Sequence, residues 1–481
     1  MSIGQRIIKN SVILLSSQIF SKIINFALIL ILTRLLGKDD FGLYSFSSAY
    51  VGLFLFLMHL GITNLLMREI AKYKDKSVEI VSSTLPIVII LSLFSLVLLN
   101  FIAFVLSWTM NERIVIFLFS LYYMFEIIAR FFIAIMRAYE RMEYEGLLTV
   151  SERIMLLIVS LLLWVSNADL FTLLICFTIV LFLKAISSFW LVKKNFQKIN
   201  IHWNFEQTKA ILKQSYPFAL IGMFGTISMR IDLVILKIYH SQDLVGIYNV
   251  AKKLIESINF VPENIYYAVF PTLSILYLSR KDKFNQTYKN VLIFLIISAV
   301  PMVVIFYLLA PKIINFLFEP EFFQAYLPLQ WLAVATAAFF IKHAFAVTLH
   351  SVGKQHIFSL FVAIGMVINI SCNLILIPPL KMLGAALASV MAESVIAILS
   401  LFAVKKYVSY TNFFPSLLKI MIAALIMIII LYLAYDWNII ILIIISILTY
   451  SGLLIVFKII PRNIFQMVIQ KTFTYSNGTN D

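Results

Sequence analysis

The sequence predicts an all-α integral membrane protein of about 14 transmembrane helices, built as two pseudo-symmetric six-helix bundles followed by two further helices. Three observations predict it: the composition, the recurrence of apolar runs along the whole chain, and an internal echo at a nearly constant offset. Of 481 residues, 62% are hydrophobic and 13% charged. The mean hydropathy of +0.99 lies far above that of soluble globular proteins.

A bilayer core about 30 Å thick needs roughly 20 apolar residues per helix. Cutting the chain at charged residues and at Gly and Pro gives spans beginning near Val12, Phe41, Val81, Ile114, Leu147, Leu170, Leu212, Leu244, Val291, Leu327, Ile357, Leu383, Leu417 and Ile439. No room is left for a soluble domain. The basic opening MSIGQRIIKN leads into an apolar segment of about 25 residues without a small-residue cleavage site, which reads as a retained first helix rather than a signal peptide.

An even number of spans puts both termini on one side, and the loop charges say which. Loops on the N-terminal side carry Arg68, Lys72, Lys74, Lys76, Arg137, Arg141, Lys193, Lys194, Lys198, Lys209, Lys213, Arg280, Lys281, Lys283, Lys289, Lys354, Lys405, Lys406 and Lys419. The opposite loops carry Arg34, Lys38, Arg113, Lys237, Lys312 and Lys381. Both termini are thereby assigned to the cytoplasm and the chain to the cytoplasmic (inner) membrane. Orientation and contact with anionic membrane lipids account for the net charge of +15 without any nucleic acid.

The echo appears once the spans are aligned. DFGLY (Asp40 to Tyr44) opens the second span and DLVGIY (Asp243 to Tyr248) the eighth; YKDKS and RKDKF occupy the cytoplasmic loops that follow. Gly42 to Gly246 is 204 positions and Lys74 to Lys281 is 207. Six helices separate the copies, so both have the same orientation, as in transporters with parallel repeats around a central cavity. The expected division is 1–202 for the N-terminal lobe, 203–408 for the second lobe, and 409–481 for two additional helices and a cytoplasmic tail.

Ionisable residues inside spans are costly and point to a lumen or to tight pairing. The bases are Lys22, Arg130, Arg153, Lys184, Arg230, Lys252, Lys253 and Lys342; the acids are Glu126, Glu152, Asp232, Glu256, Glu263 and Glu393. Arg230 and Asp232 are two apart in SMRIDLVIL, roughly 200° around a helix, so they cannot neutralise each other on one face. Glu126 and Arg130, four apart, suit a mutual ion pair as well as a ligand role. Arg153 and Lys184 lie close enough to span ends for snorkelling to compete with a lumenal place. Ser11, Gln18, Lys22 and Asn25 form a polar stripe on the first span, and Lys252, Glu256, Asn259 and Glu263 another on the eighth. His343, His350 and Lys342 polarise the tenth span, and Asn369 and Asn373 the eleventh. With bases exceeding acids, the lumen should hold an anion.

Other chemistry is absent from the sequence. HSVGK lacks the rest of a nucleotide-binding loop, so ATP hydrolysis is not expected. Asp39 and Asp40 read as turn residues before a metal site, and Cys176 and Cys372, within apolar runs, read as buried free thiols. No catalytic residue, metal site or cofactor is expected. The segment Ile314 to Gln330 reads as an interfacial aromatic stretch or a gate element.

TRLLGKDDFGLYSFSSAY, LGITNLLMREIAKYKDK, the later RIDLVILKIY and VGIYNVAKKLIESINFVP, and LGAALASVMAES resemble the Wzx-type polysaccharide flippases of the MOP exporter superfamily. The resemblance runs from Ile3 to about Lys458 and is most specific in the first loop and the Arg-Asp span. It implies an exporter, not an enzyme, moving a polyprenyl-pyrophosphate-linked oligosaccharide to the outer leaflet for O-antigen or other lipopolysaccharide-type surface glycans. It also implies a cationic lumen, to which Arg230, Lys22, Lys252, Lys253 and Lys342 correspond by their location in the spans. Asp232 and Glu256 are the candidates for ion coupling or charge balance, with a proton or sodium ion as counter-ion and a glycan polymerase as partner. The competing readings are a multidrug or cation exporter of the same broad fold, which would favour a net acidic site, and a membrane glycan polymerase or ligase, which would need a long external loop.

Overall fold

The computed structural model describes residues 3–196, 205–408 and 414–459, and among these no strand is present. The first helix, α1 (Ile3–Leu53), is 51 residues long and changes direction at Gly37, whose φ of 64° and ψ of −179° are unfavourable for any residue with a Cβ. Two short helices continue it, α2 (Leu55–His59) and α3 (Ile62–Lys72), separated by Leu60 and Gly61, both left-handed. Long apolar helices follow: α4 (Ser77–Val105), α5 (Met110–Ala138), α6 (Met142–Val165), α7 (Leu170–Asn195) and α8 (Phe205–Tyr239). The chain continues through α9 (Gln242–Ile258), α10 (Phe260–Ser279), α11 (Lys281–Leu308), the short α12 (Ala310–Leu317), α13 (Tyr326–Ser351), α14 (Gln355–Leu380) and α15 (Met382–Val404). The last described helices are α16 (Phe414–Leu433) and α17 (Ile439–Val456). Thr109 and Glu112 form a reciprocal capping box at the start of α5, Asp169 caps α7 and Asn438 caps α17, each marking a loop-to-span boundary.

Eleven described helical stretches are long and apolar enough to cross a membrane. The expected second span is the part of α1 beyond Gly37 with α2 and α3, the seventh is α8, and the eighth is α9 with α10. These are the places where expectation and count differ. The second and eighth spans open on the repeat motifs, and each breaks, at Phe54 to Gly61 and at Asn259.

The helices sort into two compact units, Met1–Val250 with Phe318–Phe322 and Asn373–Met382, and Ala251–Leu317 with Phe323–Cys372 and Leu383–Asp481. In the first, α5 packs on α7 and α1 packs on α6 and α8; in the second, α11 and α10 pack on α13, and α16 packs on α17 and α11. Within the first unit the two repeat motifs meet. A Cβ on Gly42 would collide with the Gln242 carbonyl, and one on Gly246 with the Lys38 carbonyl. One turn further, Asn249 donates to Ser45 Oγ at 2.7 Å. Gly42 with Gly246 and Ser45 with Asn249 are both pairs 204 positions apart, the offset of the sequence echo. The glycines let the backbones touch. Gly42→Ala should therefore lower the thermal midpoint of the purified protein, with an overpacking cost of about 1 to 3 kcal/mol. An unchanged midpoint would mean that the helices separate without penalty.

The aromatic stretch after α12 is neither a lipid-surface helix nor exposed throughout. It forms a 3-10 turn over Pro320–Ala325. Phe322 is fully buried and meets the Phe41 ring edge-on at 6.2 Å. Glu321 accepts the Lys38 backbone N–H at 3.0 Å, just after the Gly37 bend, and Glu319 lies 3.9 Å from Arg34.

Candidate functional site

The first unit gathers its intramembrane charges around tyrosines. From α8, Arg230 Nη1 donates to the Ser48 carbonyl of α1 at 3.0 Å and to the Tyr123 hydroxyl of α5 at 3.3 Å. Its guanidinium stands 5.8 Å from the centre of the Tyr123 ring, a cation–π distance. Ser48 Oγ and Tyr123 Oη are 3.0 Å apart and close the group. Space for the arginine comes from Gly52: a Cβ there would run into the Arg230 side chain. Asp232 leaves α8 in another direction, as the helical spacing requires. It is buried and accepts from the Tyr248 hydroxyl of α9 at 2.8 Å.

A second group lies on α5, α6 and α7. Lys184 Nζ sits 2.7 Å from Glu126 Oε2 and 2.7 Å from Glu152 Oε2. The other oxygen of each carboxylate meets an arginine, Arg130 Nε at 2.7 Å from Glu126 and Arg153 Nη1 at 3.5 Å from Glu152. The chain of charges therefore runs arginine, carboxylate, ammonium, carboxylate, arginine. Its centre is dry and its ends are open: the side chains of Lys184 and Glu152 are 6% and 2% exposed, those of Arg153 and Arg130 26% and 63%. Lys184 thus does not snorkel to a span end; two buried carboxylates hold it. Tyr44 connects the groups, lying within electrostatic reach of both Arg153 and Arg230, while its ring meets Phe119 at 5.1 Å. Tyr123, Glu126 and Arg130 recur at helical spacing on α5, and Tyr123 reaches α1 and α8, so that stripe faces protein rather than lipid. Three guanidiniums and a tyrosine cluster make a surface suited to phosphate oxygens.

The other expected cations lie elsewhere. Lys22 is exposed on α1, with Gln18 exposed and Asn25 half-buried beside it; the side chain of Ser11 falls outside the described residues. Lys252 is half-buried on α9. Lys253 is bound to Glu256 three residues on, at 2.6 Å. Lys342 is bound to Glu393 of α15 at 2.5 Å and stacks over Phe339. In the same unit His350 hydrogen-bonds the Tyr266 hydroxyl at 2.5 Å, and His343 the Phe339 carbonyl at 2.8 Å. Cys176 and Cys372 are half-buried free thiols. Among the described residues no group of three potential ligands could hold a metal ion. Sequence reasoning missed Tyr123, Ser48 and Gly52. Gly52→Ala should reduce transport while leaving the amount of folded protein unchanged, because the arginine can swing aside but then loses its seat. Normal transport by that variant would show that the seat does not matter.

Residues 7–277, more than half of the chain, match the family described as polysaccharide biosynthesis protein. The chain belongs to that family. Among solved structures it is similar to the lipid II flippase MurJ in an inward closed conformation, at 18% identity over 96% of this chain and 99% of that one, with a TM-score of 0.77. It is also similar to an inward-facing multidrug resistance MATE transporter of the MOP superfamily, at 14% identity over 80% of this chain and 94% of that one, TM-score 0.66. A third is a MOP superfamily transporter from Pyrococcus furiosus described by the reverse polarity of its binding pocket, at 13% identity over 83% and 95%, TM-score 0.59. A search of curated proteins gives no match. The family match and the likeness of fold agree with the sequence's resemblance as far as they go: this is a multi-pass membrane protein of the polysaccharide biosynthesis family, helical among the described residues, with a MurJ- and MATE-like fold.

Proposed function

We propose that the protein is a flippase that carries a polyprenyl-pyrophosphate-linked oligosaccharide from the cytoplasmic to the outer leaflet of the inner membrane. One observation carries the reading: in a chain of this family, Arg130, Arg153 and Arg230 gather around Tyr44 and Tyr123 inside the membrane-spanning bundle. Guanidiniums grip phosphate oxygens in bidentate fashion, and a cationic lumen lowers the barrier for a pyrophosphate while the prenyl tail stays in lipid. Outward movement of each negative charge is favoured by roughly 2.3 kcal/mol per 100 mV of inside-negative potential. The fourteen crossings, the lobes 1–202 and 203–408 with the 409–481 tail, alternating access and a proton or sodium counter-ion belong to the same reading. A cation exporter fits less well, because Lys184 already occupies the two buried carboxylates of this site.

Depletion of the protein should make lipid-linked oligosaccharide accumulate on the cytoplasmic leaflet; unaltered leaflet distribution would oppose the reading. Orientation has its own test. Pairs within the first unit join residues expected on one side, such as Lys237 with Glu112 at 2.7 Å and Arg137 with Glu145 at 2.5 Å. With Cys176→Ser and Cys372→Ser as background, Ser241→Cys should react with an impermeant thiol reagent in intact cells, and Ser279→Cys only after permeabilisation. The opposite labelling would reverse the topology and the direction of export.

A further inference from the structure

The five-membered charge chain on α5, α6 and α7 has a property that a fixed structural ion pair does not need. Each carboxylate gives one oxygen to the buried Lys184 and turns the other toward an arginine that is partly exposed. Resting on the flippase reading above, we infer that Glu126 and Glu152 are place-holders for substrate phosphate: they occupy Arg130 and Arg153 in the empty carrier and yield them to the pyrophosphate when it arrives.

Carboxylate and phosphate oxygens present the same partner to a guanidinium, so one can replace the other without changing the arginine's geometry. What normally forbids the exchange is the stranding of a buried carboxylate. Lys184, 2.7 Å from both, removes that obstacle, since each carboxylate stays ion-paired after its arginine departs. The unequal ends fit the exchange: Arg153 sits 3.5 Å from Glu152, a loose pair, and Arg130 is the most exposed member of the chain. Release works in reverse. Once the phosphate leaves, the carboxylates recapture the arginines, and the empty carrier returns without unpaired cations in a low-dielectric interior. Glu126 and Glu152 are positioning residues, acting on the substrate through the arginines.

Removing a competitor should tighten binding, the opposite of what removing a structural support does. Farnesyl pyrophosphate is the probe, titrated calorimetrically into the full-length protein in nanodiscs. Glu126→Gln should bind it about tenfold more tightly than the parent, the worth of one hydrogen bond to a charged group. In vesicles the same variant should lose net transport more than one-for-one exchange of the probe, because only net transport requires the empty carrier to return. Glu152→Gln tests the other end of the chain independently. If the parent binds the probe and both variants bind it equally or more weakly, or if neither variant folds, the carboxylates are structural and the inference falls. If the parent binds no probe, the flippase reading itself fails.

Discussion

Arg230→Gln is expected to reach the membrane in normal amount and to transport roughly 10- to 100-fold less lipid-linked oligosaccharide than the parent, the loss of one charged hydrogen-bonding contact of about 1.5 to 3 kcal/mol. Ser48 Oγ and Tyr123 Oη still hydrogen-bond each other at 3.0 Å, so the contact between α1 and α5 survives. What goes is the permanent charge and the planar fork. Arg230→Lys keeps the charge but loses the fork, and should fall between the two. The measurement is paired: abundance of folded protein, and the fraction of lipid-linked oligosaccharide left on the cytoplasmic leaflet. Reduced abundance with normal transport per molecule would make Arg230 a packing residue.

Lys184→Met should have the largest effect on stability. Its ammonium is the common partner of Glu126 and Glu152, whose side chains are 11% and 2% exposed. Without it two carboxylates face each other in a dry site with only Arg130 and Arg153 at their outer oxygens, at a cost of about 3 kcal/mol for breaking a buried pair. That is a large part of the net stability of a folded protein. The monodisperse peak on size-exclusion chromatography should collapse, and the triple change Lys184→Met, Glu126→Gln, Glu152→Gln should restore much of it by removing the stranded charges. A normal peak for Lys184→Met alone would mean that Arg130 and Arg153 suffice for the two carboxylates.

Much of the fold was legible because apolar length is a one-dimensional property. Runs such as those of α4, α11 and α17 announce themselves. The two glycines of the sequence echo, Gly42 and Gly246, lie in backbone contact. The breaks were mixed: the Gly37 bend falls between Arg34 and Lys38, where the first span was expected to end, but the break from Phe54 to Gly61 inside the second span carried no signal. The site was legible in its residue types and not in its grouping. Arg230 and Asp232 were correctly read as diverging, since that follows from helical pitch alone. Lys184 stayed open between snorkelling and a lumenal place because distance from a span end says nothing about Glu126 and Glu152, which arrive from two other helices. Lys253 and Lys342 were counted as lumen cations, and Glu256 and Glu393 sit against them, acids that the sequence had named without pairing them. Tyr123, Ser48 and Gly52 carried no signal, because a tyrosine, a serine carbonyl and a glycine acquire meaning here only through an arginine more than 100 residues away.

On the proposed reading, the cationic site moves a prenyl-linked pyrophosphate across the membrane. Purified protein reconstituted into liposomes with a fluorescent short-chain prenyl-pyrophosphate oligosaccharide, its inner-leaflet pool measured by protection from an impermeant quencher, tests it most directly. The expected result is protein-dependent movement between leaflets that Arg230→Gln suppresses while a cationic dye is left untransported. Movement of the dye with a static glycolipid, or glycolipid movement indifferent to Arg230, would contradict it.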